Sequence, residues 1–464
     1  MFDQSTICAI ATSPGMGPIA VIRLSGEKAI EITDQVYKSP VRNKILSGQK
    51  ANTIHFGMIC EGPEIIDEVL ISLFKAPHSF TGEDVVEISC HGSVYIQQRI
   101  LQLLISNGAR MARPGEYTQR AFLNGKMDLS QAEAVADLIA STTKASQKVA
   151  ISQIRGGFSS EISSLREKLL HFIALVELEL DFSEEDVEFA DRKELRALVD
   201  QIASVVSRLT GSYQLGNVIK NGIPVAIIGE TNVGKSTLLN ALVNEERAIV
   251  SDIHGTTRDV IEDVVNIQGT AFRFFDTAGL RETTDEIENL GIERSYNTLK
   301  EATIVLLVVD MTNPLTLVLS RINKIRKYLS GQHLIITANK LDTGKEETIA
   351  GLKKLSLKNE EELVFISAKN RFHLDDLILK MQKVIALDKI GEEGTIVTNV
   401  RHYEALTRSL EAIRRVQTGM DRQVSGEFLA QDIRECLEYL GEITGEISND
   451  EVLGHIFKNF CIGK

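Results

Sequence analysis

The chain has 464 residues, of which 43% are hydrophobic and 25% are charged, and it carries a net charge of −13. Because one hydrophobic core rarely organises so long a chain, we expect more than one domain. The acidic balance argues against broad, non-specific binding to nucleic acid, and no apolar run is long enough to cross a bilayer. We therefore predict a soluble multidomain protein without a membrane partner.

The amino terminus and the cysteines indicate a compartment. The opening residues, MFDQSTICAIATSPG, lack the basic start and apolar stretch of a signal peptide, and they are too acidic and too poor in arginine for a transit peptide. The five cysteines form no C-x-x-C pair and are odd in number. This pattern is typical of a reducing cytoplasm, without structural zinc or disulfides.

The first part of the chain mixes strand and helix patterns. PIAVIRLSG, IDEVLISLF and EDVVEISCHG alternate or run apolar as strands do, and SVYIQQRILQLLISNG has a helical period that ends at Gly108. We therefore predict an α+β domain over residues 1–125.

Helical periodicity begins at Ser130. Ser130 and Glu133 have the spacing of a capping box, which predicts the start of a helix. The acidic stretch DFSEEDVEFADRKE interrupts the pattern, and we interpret it as a solvated loop rather than a metal site. The helical period returns in RHYEALTRSLEAIRRV, with Leu406, Leu410 and Ile413 on one face.

Between the helical segments the pattern alternates strand and helix. Five short apolar runs, IPVAIIG, AFRFFD, TIVLLVVD, HLIITANK and LVFISAK, are typical of a doubly wound parallel sheet. Insertion of one domain into another is common because chain ends of a domain often lie close together. We therefore predict a multidomain α/β protein with an all-helical domain over 126–220 and 386–464, interrupted by a domain at 221–385.

A phosphate-binding motif follows the first of these strands. GETNVGKST, from Gly229 to Thr237, matches G-x-x-x-x-G-K-[ST] between a strand and a helix. The glycines allow backbone N–H groups to surround phosphates, and the helix N-terminus adds its positive end. We expect Lys235 to reach the β- and γ-phosphates and Ser236 to bind Mg²⁺.

Four further motifs follow in the order found in guanine-nucleotide domains. GTTRD supplies Thr257 for Mg²⁺ and the γ-phosphate, and DTAG supplies Asp276, which would hold Mg²⁺ through water. NKLD supplies Asp342, whose carboxylate accepts from guanine and would strongly reject adenine, and SAK completes the base pocket. These motifs predict an inserted Ras-like P-loop GTPase domain. The predicted GTP-binding residues are Asn232, Val233, Gly234, Lys235, Ser236, Thr237, Ser251, Asp252, Ile253, His254, Gly255, Thr256, Thr257, Asp276, Thr277, Ala278, Gly279, Asn339, Lys340, Asp342, Ser367, Ala368 and Lys369.

The residue after DTAG is unusual for a GTPase. It is Leu280, where Ras-like enzymes have a glutamine that orients the attacking water. The water must therefore be positioned in another way, and Arg258 and Arg281 are weak candidates for an arginine finger because an exposed arginine is more often only solvated. The acids that follow are Glu282, Asp285, Glu286 and Glu288.

The chain ends in FKNFCIGK. A prenylation motif is excluded as an interpretation because Gly463 and Lys464 do not fit its last two positions and no basic cluster precedes it. Phe457 and Phe460 carry apolar character into the last turn, which predicts a docked tail rather than a frayed one.

The P-loop, the insertion and the CIGK tail together resemble the MnmE/TrmE family of tRNA-modification GTPases. The likeness covers the whole chain and includes ATSPGMGPIAVIRLSG, SFTGEDVVEISCHG, RPGEYTQRAFLNGKMDLSQAEAVADLI and GEITGEISNDEVLGHIFKNFCIGK. It implies an N-terminal domain that dimerises and binds a one-carbon tetrahydrofolate, in its 5-formyl or 5,10-methylene form. The folate contacts would be Arg23, Glu87, Lys126 and Lys464.

The resemblance also implies a potassium-activated GTPase. Asn232, Ser251, Ile253 and Thr256 would coordinate K⁺, and Glu288 would orient the water. The product would be a carboxymethylaminomethyl-type group on C5 of the wobble uridine of certain tRNAs, made by a homodimer with the FAD-binding partner MnmG/GidA in a heterotetramer. A regulatory or ribosome-assembly GTPase stays the alternative, although it would need neither the N-terminal domain nor the tail.

Two cysteines invite a catalytic interpretation. Cys461 would supply a thiolate for one-carbon transfer, with Lys464 lowering its pKa and Gly463 allowing close approach to a ligand. The other interpretation is that Cys461 only packs beside the pterin. The neighbouring Cys90 and His91 lie at a strand end, and we predict a structural turn there rather than a nucleophile and its base.

Overall fold

The computed structural model describes residues 5–42, 44–181, 192–243, 249–250, 263–275, 299–384, 395–447, 450–458, 460 and 462–463. The chain divides into two compact units. One comprises Met1–Ala136, Gln153–Leu198 and Arg415–Lys464, and the other comprises Asp137–Ser152 and Val199–Arg414. Each boundary between the two units falls within a helix. The domain limits proposed from the sequence stay a prediction.

The first unit begins with a seven-stranded sheet in the order β3-β4-β5-β6-β2-β1-β7. All neighbouring strands are antiparallel except β1 and β7. The strands are β1 Ile7–Ile10, β2 Ile19–Ser25, β3 Tyr37–Lys38, β4 Thr53–Glu61, β5 Glu64–Phe74, β6 Val85–His91 and β7 Arg110–Met111, and the helices of this region are α1 Ala29–Val36, α2 Val94–Ser106 and α3 Glu116–Leu123.

Alternation explains these strands. On β2, Ala20, Ile22 and Leu24 are buried and belong to the core beneath the helices, while Ile19 is exposed, because successive side chains point to opposite faces. The helix α2 ends where the sequence predicts, since Gly108 has a φ of +105° that favours glycine. The predicted α+β character is confirmed.

Two long helices of the first unit pack against each other, α6 Gly157–Asp181 and α13 Gly426–Thr444. Each buries residues spaced alternately four and three apart, the spacing that turns one helical stripe toward a partner helix. On α6 these residues are Phe158, Ile162, Leu165, Leu169, Phe172 and Val176, and on α13 they are Leu429, Ile433, Cys436, Leu440 and Ile443.

The helix α4, Leu129–Ala140, begins with a different capping box from the predicted one. The carboxylate of Asp128 accepts from the N–H of Gln131 at 3.0 Å, and the Gln131 side chain accepts from the N–H of Asp128 at 2.9 Å. Ser130 is buried and bonds Asp128 and Ser159 instead. The assignment to Ser130 and Glu133 is wrong because the same spacing occurs two residues earlier, where the cap side chain reaches the free N–H groups.

The second unit contains a sheet in the order β14-β13-β12-β8-β11-β10-β9. The strands β11, β8, β12, β13 and β14 are parallel, and β10 is antiparallel to both of its neighbours. The strands are β8 Ile223–Ile228, β9 Ile249–Val250, β10 Asp263–Ile267, β11 Thr270–Phe275, β12 Ile304–Asp310, β13 His333–Asn339 and β14 Glu361–Phe365. The predicted doubly wound sheet is confirmed, and β9 and β10 are strands that the sequence patterns did not reveal.

Helices cover both faces of this sheet, with one buried cluster on each face. The central strand β12 is buried along its whole length, as expected for a parallel strand between two helical layers. The helices of the chain not yet named, in either unit, are α5 Lys144–Ile154, α7 Arg192–Asn221, α8 Lys235–Val243, α9 Leu315–Arg326, α10 Glu346–Lys353, α11 Leu374–Lys383, α12 Val400–Asp421 and α14 Asp450–Lys458. In the part of the chain that the structure describes, no helix has the length and apolarity needed to span a membrane.

The carboxyl-terminal helix α14 docks within the first unit. Phe457 is buried in a cluster with Leu129, Ala132 and Leu453, and Phe460 packs against it. The ring centroids of Phe457 and Phe460 are 5.3 Å apart. Gly115, which has a φ of +67°, lies so close that a Cβ there would be 2.7 Å from the Phe457 carbonyl oxygen. This part of the chain end is therefore packed rather than frayed.

We expect Gly115→Ala to lower the free energy of unfolding by about 1–3 kcal/mol, because a left-handed backbone and the Phe457 carbonyl both oppose a Cβ. Gly62→Ala is the matched control, since Gly62 has a φ of +59° and nothing within 4 Å of its ideal Cβ. Urea unfolding of both variants measures the difference. Equal losses of stability in the two variants would show that the contact with Phe457 does not restrict residue 115.

Candidate functional site

The P-loop lies at the carboxyl end of β8 and leads into α8. Gly229 has a φ of +155°, and a Cβ there would lie 2.5 Å from the carbonyl oxygen of Val308. Gly234 has a φ of +99°, and a Cβ there would lie 2.3 Å from the side-chain nitrogen of Asn339. These positions require glycine, because a side chain at either one would collide with Val308 or Asn339.

Lys235 lies across this loop. Its Nζ donates to the carbonyl oxygens of Gly229 and Glu230, both at 2.7 Å. Burial lowers the pKa of Lys235, and the Glu230 carboxylate opposes this effect. Ser236 and Thr237 follow in the first turn of α8, and the N-terminal end of a helix attracts anions.

Asn339 connects three of the predicted motifs. Its side-chain amide donates to the carbonyl oxygen of Val233 at 2.8 Å, and its side-chain oxygen accepts from the N–H of Ala368 at 2.9 Å. Asn339 is only 3% exposed. The P-loop, the NKLD segment and the SAK segment therefore meet at the carboxyl edge of the sheet, the usual ligand position in doubly wound folds.

Asp342, the carboxylate predicted to read the base, lies close to these motifs. Ser367 donates its hydroxyl hydrogen to Asp342 at 2.6 Å, and this hydrogen bond keeps the pKa of Asp342 below its usual range. Asp342 is exposed, so its ionised carboxylate is accessible to a ligand. Its neighbour Lys340 has a φ of +65° and bonds Asp310 at 2.6 Å.

Three of the four predicted folate contacts lie in the described part of the first unit. Arg23 and Glu87 face each other on paired strands, and their side chains form an ion pair at 2.8 Å. The Arg23 guanidinium also lies 5.9 Å from the centre of the Phe80 ring. Lys126 donates to the Pro77 carbonyl oxygen at 3.0 Å, so Arg23 and Lys126 both border the segment 77–80.

The described part of the carboxyl-terminal end also contacts Arg23. Arg23 donates to the carbonyl oxygen of Gly463 at 3.4 Å. Gly463 has a φ of +96°, and a Cβ there would lie 2.3 Å from the Ile10 carbonyl oxygen. Tyr117 fixes the backbone of Arg23 through a hydrogen bond of 2.7 Å. The close backbone approach expected of Gly463 is therefore an approach to β1.

Two family models match this chain. One, described as the MnmE helical domain, matches residues 129–461, and the other, described as the GTP-binding protein TrmE N-terminus, matches residues 6–126. The chain belongs to the MnmE family of tRNA modification GTPases. Its similarity to curated members spans both sequences completely: it is 58% identical to the tRNA modification GTPase MnmE of Bacteroides fragilis and 51% identical to that of Flavobacterium johnsoniae.

Solved GTP-binding structures are similar over a smaller part of the chain. The G domain of the T. maritima FeoB iron transporter is 25% identical and covers 35% of this chain and 98% of its own, with a TM-score of 0.26. Aquifex aeolicus Era bound to GDP and AlF4⁻ is 28% identical and covers 40% of this chain and 65% of its own, with a TM-score of 0.25.

Part of the predicted MnmE site lies outside the described residues. This applies to the switch segments, the proposed water-orienting acid and the two ends of the CIGK tail. These residues are Ser251, Asp252, Ile253, His254, Gly255, Thr256, Thr257, Arg258, Asp276, Thr277, Ala278, Gly279, Leu280, Arg281, Glu282, Asp285, Glu286, Glu288, Cys461 and Lys464.

Sequence reasoning missed Asp310 in this MnmE chain. It ends β12 beside β13, accepts from Lys340, and also accepts from the N–H of Thr312 at 2.8 Å. Burial raises the pKa of Asp310, but these hydrogen bonds outweigh burial and leave the pKa below its usual value. The sequence signal for Asp310 was its position as the acid that ends the predicted strand TIVLLVVD, directly before the strand that leads into NKLD.

The structure separates Cys90 from His91. The Cys90 side chain is buried, and burial with the nearby Asp67 carboxylate raises its pKa to about 11. The His91 side chain is 69% exposed and bonds Asp67 at 2.7 Å. Adjacent residues of a strand point to opposite faces, so the two side chains do not form a nucleophile and its base.

We expect Asn339→Ala to weaken nucleotide binding by about 10-fold or more, because the buried groups of Val233 and Ala368 lose their partner. The dissociation constant of a fluorescent GDP analogue measures the effect. Asn370→Ala is the control, since Asn370 lies in the loop that contains Ala368 and is exposed. Unchanged affinity in Asn339→Ala would mean that the three loops keep their arrangement without this side chain.

Proposed function

We propose that this chain hydrolyses GTP and, with an FAD-binding partner and a one-carbon tetrahydrofolate, installs a carboxymethylaminomethyl-type group on C5 of the wobble uridine of certain tRNAs. The observation that carries the nucleotide part is the meeting of three loops at Asn339 beside the exposed Asp342. The membership of the MnmE family supports the tRNA-modification part.

The proposed nucleotide chemistry follows from the residue types. Asp342 accepts from the N1–H and 2-amino groups of guanine, a donor pair that adenine lacks. Lys235 exchanges its bonds to the loop carbonyls for bonds to the β- and γ-phosphates. Gly229 and Gly234 let the loop backbone pass close to Val308 and Asn339, and in the proposal this backbone surrounds the phosphate chain. In the proposal, Mg²⁺ is bound by Ser236, Thr257 and, through water, Asp276.

Leu280 replaces the glutamine that usually orients the attacking water, and Arg258 and Arg281 are weak candidates for an arginine finger. Hydrolysis therefore also needs another means of charge compensation. We assign this role to K⁺, bound by Asn232, Ser251, Ile253 and Thr256. Asn232 has a φ of +60° and lies exposed at the outer turn of the P-loop, where its side chain is accessible to an ion. Glu288 then orients the attacking water.

The proposed folate site is centred on Arg23 and Glu87. A carboxylate accepts from the amino and N–H groups of a pterin ring, while cations such as Arg23, Lys126 and Lys464 suit the carboxylates of its glutamate tail. The tetrahydrofolate supplies the one-carbon unit. The contact between Arg23 and Gly463 supports a position of the carboxyl-terminal CIGK segment beside this site. Within that segment, Cys461 is the proposed thiolate nucleophile.

The proposed assembly is a homodimer that joins MnmG/GidA in a heterotetramer and acts on tRNA in the cytoplasm. The sheet of the first unit offers a surface for dimerisation. Phe56 and Leu70 are cross-strand partners on β4 and β5 and are half exposed, and the nearby Ile54 is 67% exposed. Apolar side chains grouped on one sheet face often mark an interface. Sedimentation velocity of the full chain tests the dimer, and a monomer would contradict it.

Two measurements test the hydrolytic mechanism. GTP turnover should be higher in K⁺ than in Na⁺, because the smaller ion fits the same ligands poorly. Glu288→Ala should lower kcat by about 10²–10⁴-fold and leave nucleotide affinity unchanged. Equal turnover in both salts by a confirmed dimer would exclude K⁺ activation, and loss of turnover in Glu282→Ala instead would reassign the water-orienting role.

Modification itself is tested by mass spectrometry of tRNA nucleosides from cells that contain only the variant chain. The wild type should restore the modified uridine, whereas a purely regulatory GTPase would not. Cys461→Ser should abolish the modification but keep GTP hydrolysis and folate binding, because a hydroxyl is far less acidic than a thiol. Removal of Lys464 should weaken folate binding. A normal amount of modified uridine in Cys461→Ser cells would make Cys461 a packing residue.

A further inference from the structure

An ion pair at the P-loop has no role in the binding scheme above. Glu230 is the second residue of the loop, and its carboxylate pairs with the guanidinium of Arg321 on α9. The backbone carbonyl of Glu230 accepts from Lys235 at 2.7 Å. The same residue therefore contacts α9 through its side chain and the phosphate-binding lysine through its backbone.

Arg321 depends on this carboxylate. Its side chain is 17% exposed, and its Nε and Nη1 are buried without a hydrogen-bond partner among the residues that the structure describes. A largely buried guanidinium is costly unless a negative charge compensates it. Within the same described part of the chain, Glu230 is the carboxylate paired with Arg321.

The ion pair and the hydrogen bond from Lys235 both act on Glu230, at the start of the exposed part of the loop. Gly229 passes close to the carbonyl oxygen of Val308, and the carbonyl oxygen of Val233 accepts from Asn339. Between them, Thr231 and Asn232 are exposed, and Asn232 has a positive φ, which is uncommon for a residue with a side chain. The ion pair attaches the start of this strained turn to a helix.

The pair also determines where the Glu230 charge lies. A carboxylate that turned toward the phosphate side would repel a triphosphate and compete for Lys235. Pairing with Arg321 keeps the carboxylate on α9.

We propose that Arg321 is a positioning residue for the P-loop: it holds the Glu230 carboxylate on α9, so that the Glu230 backbone and Lys235 are arranged for a nucleoside triphosphate. The inference rests on the proposed binding of GTP. Arg321 acts through Glu230 and does not contact the nucleotide.

The test compares the full-length wild type with Arg321→Gln, Glu230→Gln and the exchanged pair Glu230→Arg with Arg321→Glu. A fluorescent GDP analogue gives affinity and dissociation rate, and steady-state turnover gives KM and kcat for GTP. We expect Arg321→Gln to weaken binding by about 10-fold and to raise KM more than it lowers kcat. Glu230→Gln should have a smaller effect because it leaves no free anion beside the phosphates. The exchanged pair should recover most of the lost affinity.

Arg326→Gln is the matched control. Arg326 lies on the same helix and pairs with Glu361 at 2.6 Å, so its loss affects α9 without affecting the P-loop. Wild-type affinity in Arg321→Gln, an equal loss in Arg326→Gln, or no recovery in the exchanged pair would each overturn the inference. A wild-type chain that did not bind the GDP analogue would instead overturn the proposed function, and the inference with it.

Discussion

The nucleotide site depends on one buried amide. Asn339 joins Val233, which lies 106 positions earlier, to Ala368, which lies 29 positions later. Both hydrogen bonds form in a water-poor interior, where an unpaired backbone group is costly. This pairing fixes the spacing between the loop that would hold phosphates and the loops that would read the base. Ser367 bonds Asp342 directly, whereas the position of Lys235 relative to both depends on Asn339.

The parallel sheet makes that pairing available. β8, β12 and β13 run in the same direction, so the loops that follow them leave at one edge. The same arrangement explains the close contacts of the P-loop glycines, because the neighbouring strand ends leave no volume for a Cβ. It also places α9 beside the P-loop, where Arg321 pairs with Glu230. The parallel strand order thus accounts for both the close glycine contacts and the ion pair between Glu230 and Arg321 in the phosphate loop.

In the first unit, packing contacts hold the carboxyl-terminal end of the chain. Phe457 and Phe460 pack against Gly115, and Gly463 approaches β1 closely. Arg23 then contacts both Glu87 and the Gly463 carbonyl oxygen. The burial of two aromatic rings offsets the conformational entropy that a free tail would keep. The packing of the tail therefore helps to position Arg23, which we propose as a folate contact.

The sequence alone determined the parts that depend on local chemistry: the strand and helix patterns, the end of α2 at Gly108, and the P-loop, NKLD and SAK motifs. It did not distinguish the capping box at Asp128 from the one at Ser130, because both have the same spacing and only burial against Ser159 separates them. The pairs of Lys340 with Asp310, Glu230 with Arg321 and Arg23 with Gly463 came only from the tertiary structure. Their partners are 30 to 440 positions apart or on different elements, and no local pattern specifies which distant side chain will lie within bonding distance.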